Sequence, residues 1–86
     1  MKKEKLYNEF EELGQRLGVK IIKGRGNFHG GSCIVNEETV IVLNKQKPIE
    51  QRLKTLATSF LEYNLDDVYM VPALRAYIEE SRSLDL

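Results

Sequence analysis

His29 and Cys33 are the only histidine and the only cysteine in this chain of 86 residues, and they stand four apart. An imidazole beside a thiol is the minimum for a base-activated nucleophile, so the pair is where a hydrolase or transferase activity would lie. No third group that would orient the imidazole is identifiable. Cys33 also opens the apolar run Cys33-Ile34-Val35, in which a thiol is expected to share an inward face with Val35. Metal chemistry lacks donors: a catalytic zinc takes about three protein ligands, and one histidine with one cysteine falls short. Neither a metal nor any other cofactor is expected. Asp66 and Asp67 precede Tyr69, but adjacent carboxylates rarely converge on one substrate atom and belong more naturally to a turn. Arg75 is expected to reach back to one of them as a clamp.

The segment Gly24-Arg25-Gly26-Asn27-Phe28-His29-Gly30-Gly31 holds four of the six glycines. Glycine is the default where the backbone takes positive φ or approaches another group closely, so this loop has a required shape. Its spacing is not Gly-x-Gly-x-x-Gly, no Lys-Ser/Thr pair follows, and a strand rather than a helix comes next, which argues against a nucleotide. The structural reading is a crossing between strands, with Phe28 tucked onto the core. The binding reading is a surface for a partner. Lys20, Lys23 and Arg25 interleave with Phe28 and His29 in the manner of a nucleic-acid interface. About four positive charges in a chain of zero net charge give only a weak phosphate-driven attraction.

The elements that must position these residues follow from periodicity. Leu6, Phe10, Leu13 and Leu17 form one helical stripe ended by Gly18. Val19 to Lys23 reads as a short strand. Ser32 to Val35 and Thr39 to Leu43 read as a hairpin joined by the three residues Asn36-Glu37-Glu38, and the unbroken apolar run Val40 to Leu43 predicts a central strand. Pro48 is expected at the first position of a second helix carrying Ile49, Leu53, Leu56, Ala57 and Phe60 inward and Gln51, Arg52, Lys54 and Thr55 outward, with Asn64 as its stop. Leu65 to Val71 is either a turn or a short extended piece. Pro72 opens a third helix with Leu74, Tyr77 and Ile78 on its inner side, and Ser83 to Leu86 is expected to fray.

Together these give a single α+β domain over 1–86, order α-β-β-β-α-α, with a small three-stranded, mainly antiparallel sheet and helices on one face. The segment from Leu13 to Asn36 carries basic residues and no acidic ones, while Thr55 to Leu86 is mainly acidic. That polarity can steer a partner or pair two copies of the chain. The lone thiol, the charged start of the chain and the lack of a long apolar stretch point to a cytoplasmic protein without a membrane segment.

Arg25-Gly26-x-Phe28-x-Gly30-Gly31-x-Cys33, then Val40-Ile41-Val42-Leu43-Asn44, then Pro48-x-Glu50-Gln51-Arg52 and Thr55-Leu56-Ala57 resemble the opening of the zincin-like metallopeptidases of the ImmA/IrrE type. They also resemble a small bacterial family of about this length with the same glycine-loop, Leu-Asn and Pro-x-x-Arg pattern. In the peptidases a glycine-containing strand leads to a Leu-Asn strand and a Pro-x-Glu-Arg helix start, and the helix continues into the zinc-binding His-Glu-x-x-His. This chain has Thr58-Ser59-Phe60-Leu61-Glu62 in that register. The resemblance implies a truncated zincin-like scaffold with a degenerate active site, whose groove beside Ile41 to Asn44 holds an extended peptide by strand addition. The expected function is a non-catalytic protein or peptide interaction module that self-associates. Arg25, Asn27, Phe28 and His29 are its contact residues, with Asn44 and Arg52 framing the site.

Overall fold

Leu6, Phe10 and Leu13 fall on the buried side of the first helix, α1 (Lys3–Leu17), as their spacing predicts. Gly18 ends it at φ 70°, donating its N–H to the Gln15 carbonyl at 3.3 Å. The computed structural model describes residues 1–84 and continues with β1 (Lys20–Gly24), β2 (Gly31–Val35), β3 (Glu38–Asn44), α2 (Ile49–Phe60) and α3 (Pro72–Leu84). The α+β class and the order α-β-β-β-α-α are therefore as expected. The sheet is mixed, with β3 in the middle, antiparallel to β2 and parallel to β1.

That topology explains the apolar run of β3. Ile41 and Leu43 join the core with residues of all three helices, while Val40, buried but outside that core cluster, faces the opposite side of the pleat. Phe10 of α1 stacks on Phe60 of α2, ring centroids 5.9 Å apart, and meets Tyr77 of α3 edge-on at 6.0 Å. Offset and edge-on rings of this kind add about 0.5–1.5 kcal/mol per pair beyond the area they bury.

Several local expectations are corrected. The hairpin turn has two residues: Asn36 and Glu37 both take positive φ, and Glu38 pairs with Val35 in the sheet. Pro48 is the cap of α2 rather than its first helical residue, and its carbonyl accepts from Gln51 and Arg52 N–H. The same helix ends at Phe60, and Asn64 instead accepts the Asp66 N–H at 3.1 Å within a following turn. Leu65 to Val71 contains no strand. Arg75 clamps the Val68 and Leu65 carbonyls, at 3.0 and 3.4 Å, rather than Asp66 or Asp67, because those carboxylates point to solvent. Ser83 and Leu84 belong to α3, while Asp85 and Leu86 lie outside the described residues. No helix among the described residues is long and apolar enough to cross a membrane.

β1 and β2 occupy opposite edges of the sheet, so the glycine loop must cross the C-terminal end of β3. The crossing is close at Gly30, where φ is +91° and an added Cβ would lie 2.6 Å from the Val42 carbonyl oxygen. Gly30→Ala therefore meets both backbone strain and a collision with backbone, and should cost about 2–4 kcal/mol in urea unfolding. Gly18→Ala, with open space around it, should cost only about 1–2 kcal/mol.

Burial, reinforced by Glu80, holds the Tyr77 hydroxyl above its ordinary pKa. The fold thus favours the neutral phenol, and this contribution is complete below the free tyrosine value of about 10 and fades as pH rises through the folded one. Tyr77→Phe should retain more of its neutral-pH stability in alkaline urea melts than the parent chain.

Candidate functional site

The glycine loop has one side-chain anchor among the described residues. Asn44, the last residue of β3 and only 2% exposed, directs Nδ2 to the carbonyls of Gly26 and Phe28, at 2.8 and 2.7 Å. Its Oδ1 accepts the Gln46 N–H at 3.0 Å. A buried amide with both ends satisfied is a rigid fixture. Phe28 packs its ring beneath the backbone of Gly24 and Gly26, where an added Cβ would sit 3.5 Å from it. It is half-buried.

The loop so held forms one wall of a cleft of about 480 Å³. His29, Gly30 and Gly31 line that wall, Leu43 and Asn44 the end of β3, and Lys47 the link to α2. The opposite wall is α2 itself, through Gln51, Arg52, Lys54, Thr55 and Thr58. Three of the six residues expected at the site, His29, Asn44 and Arg52, therefore line the cleft. Arg25 and Asn27 are exposed on the loop outside its lining, and Phe28 serves the loop from beneath. From the sequence Lys47 belongs to the link before α2, Gln51, Lys54 and Thr55 to its solvated face and Thr58 to the register of the resemblance, and none of them is expected at the site. Their spacing, i, i+4, i+7, i+8 and i+11, was the available signal, for it makes a polar helical stripe without a carboxylate.

Arg52 is positioned from two sides. Its Nε donates to the Lys47 carbonyl at 3.1 Å, and its guanidinium lies 5.5 Å from the centre of the Tyr7 ring of α1. Lys23 of β1 approaches the same ring at 5.2 Å and bonds Glu11 at 3.1 Å. That hydrogen-bonded carboxylate raises the Lys23 pKa despite partial burial. Glu50 on the first turn of α2 is held by Lys3 at 2.6 Å, which lowers the pKa of Glu50 and raises that of Lys3. Lys47, Arg52 and Lys54, by contrast, enter no ion pair among the described residues. The cleft thus concentrates positive charge and exposes hydroxyl and amide groups, with Leu43 buried beneath them.

His29 and Cys33 are not brought together on this wall. Cys33 is exposed, not buried as expected, because β2 is an edge strand and its Cys33 and Val35 side chains share with Val40 the face away from the helices. Strand addition at Ile41 to Asn44 is also ruled out, since β1 and β2 already occupy both edges of β3. Among the described residues no three His, Cys, Asp or Glu side chains cluster closely enough to hold a metal ion. In the register of the resemblance, Thr58 lines the cleft, Ser59 is buried, and Glu62 lies beyond the end of α2.

Asn44→Ala leaves the Gly26 and Phe28 carbonyls without their donor. It should cost about 2–3 kcal/mol and speed hydrogen exchange in the loop of residues 24–30 much more than in α3, as read by mass spectrometry.

No known family, curated protein or solved structure matches this chain.

Proposed function

We propose that the chain is a non-catalytic interaction module that seats an extended, acidic peptide or protein segment in the cleft between the glycine loop and α2. The observation that carries this is the charge of the cleft. Lys47, Arg52 and Lys54 line it, and no carboxylate does. A concave, positively charged site with convergent donors suits a segment rich in acidic side chains. The resemblance to a zincin-like groove supports this reading, with Thr58, Ser59 and Glu62 in the register of the zinc-binding motif. Supporting the non-catalytic reading, the two residue types best suited to nucleophilic chemistry, His29 and Cys33, serve different parts of the surface. The exposed free thiol suits a reducing cytoplasm. A phosphate-backbone partner along Lys20 to His29 is less well supported, because Glu11 already engages Lys23.

A dye-labelled decapeptide of alternating Glu and Ala, followed by fluorescence anisotropy, tests the reading. Saturable binding is expected that weakens with added salt and falls at least about tenfold in Lys47→Glu/Lys54→Glu, while Arg25→Ala binds as the parent does. Failure to bind at low salt, or equal binding by the double variant, would overturn it.

A further inference from the structure

We propose that two copies of this chain pair through the outer edge of β2, antiparallel about a two-fold axis at Cys33, to make one six-stranded sheet. This surface is separate from the cleft floor and does not rest on the peptide-binding reading.

The two edges of the sheet differ. β1 carries Lys20 and Lys23 and is guarded by charge. β2, with the sequence Gly-Ser-Cys-Ile-Val, has no charge and no proline. Its Ile34 is 76% exposed and Val35 46%. Such an edge needs a cover, and an identical neutral edge can approach it without repulsion.

The register selects the pairing. The two-residue turn makes Val35 and Glu38 the closing hydrogen-bonded pair, so Val35, Cys33 and Gly31 direct their backbone groups to β3. Ser32 and Ile34 direct theirs outward. With the axis at Cys33, Ser32 of each copy faces Ile34 of the other and exchanges both backbone bonds, while the two Cys33 residues form a non-hydrogen-bonded pair. Ile34 shares the helix side of the sheet with Ile41 and Ser32, so the two Ile34 side chains become diagonal neighbours over the seam. The two β3 strands would be about 14 Å apart at a strand spacing near 4.8 Å, which leaves room for α2 of each copy at a helix separation of about 8–10 Å.

Charge does not oppose this alignment. The paired residues, Gly31 to Val35 of each copy, include no Lys, Arg, Asp or Glu, so this register brings no like charges together.

Sedimentation velocity from micromolar to millimolar protein should show a reversible dimer. Ile34→Lys places two like charges across the seam and should weaken the dimer at least about tenfold, with an unchanged urea melt at dilutions where the parent is monomeric, because the side chain is mostly exposed. Diamide supplies an independent reading. It takes two electrons and two protons from the Cys33 thiols and leaves a disulfide, which the opposed strand positions accommodate. Covalent dimer should form at a rate independent of protein concentration in the parent and collapse to a slow, concentration-dependent rate in Ile34→Lys. A monomer at millimolar concentration, a dimer indifferent to Ile34→Lys, or only collisional crosslinking in the parent would each overturn the proposal.

Discussion

The side-chain amide of Asn44 sits at the end of the central strand and binds two carbonyls of a loop that crosses directly above it. The connection from β1 to β2 has to pass over β3 because β3 lies between them. A crossing backbone carries polar groups over the edge of an apolar core, and each group needs a partner. A carboxylate in place of the amide would offer no donor, and an apolar side chain would offer nothing. Asn44 thereby determines where His29 and Gly30 stand, and with them one wall of the cleft. The other wall depends on Arg52, which ties α2 to the Lys47 carbonyl and to Tyr7 of α1.

The uneven charge of the sequence is partly consumed inside the fold. Arg16 of the basic half lies 5.4 Å from the Tyr69 ring and donates to the Tyr69 carbonyl at 3.4 Å, pinning the acidic segment after α2 to the end of α1. Lys23 is matched to Glu11 and Lys3 to Glu50. These are exposed or half-exposed contacts, each contributing little to stability. Their larger effect is selective: once they are made, the unmatched cations Lys47, Arg52 and Lys54 stand together along the cleft.

The helices were legible because apolar residues at a period of 3.6 have few alternative explanations, and Phe10, Leu56, Phe60, Leu74 and Ile78 all lie in the core. The central place of β3 was legible from its two apolar faces. The parallel pairing with β1 was not, since nothing in Lys20 to Gly24 states which neighbour the strand will meet. The two-residue length of the turn was not legible, because Glu37 adopts a left-handed conformation that glutamate seldom takes. Cys33 was placed inward because an apolar run implies burial, yet an edge strand facing away from the helices leaves such a residue exposed. Half of the expected site lines the cleft. The cations that complete it, Lys47 and Lys54, look like ordinary solvated lysines until the loop is folded over opposite them.

The tight bend at Asn36 and Glu37 also fixes which face of the sheet each side chain of β2 takes relative to β3. With no spare residue in it, the alternation of the strand is locked, so that Ile34 looks toward the helices and Cys33 away from them. One residue inserted there would exchange those two orientations, turning the thiol to the helical layer and the isoleucine to the bare side. The chemical character of both sheet surfaces is thus governed by the length of a single bend.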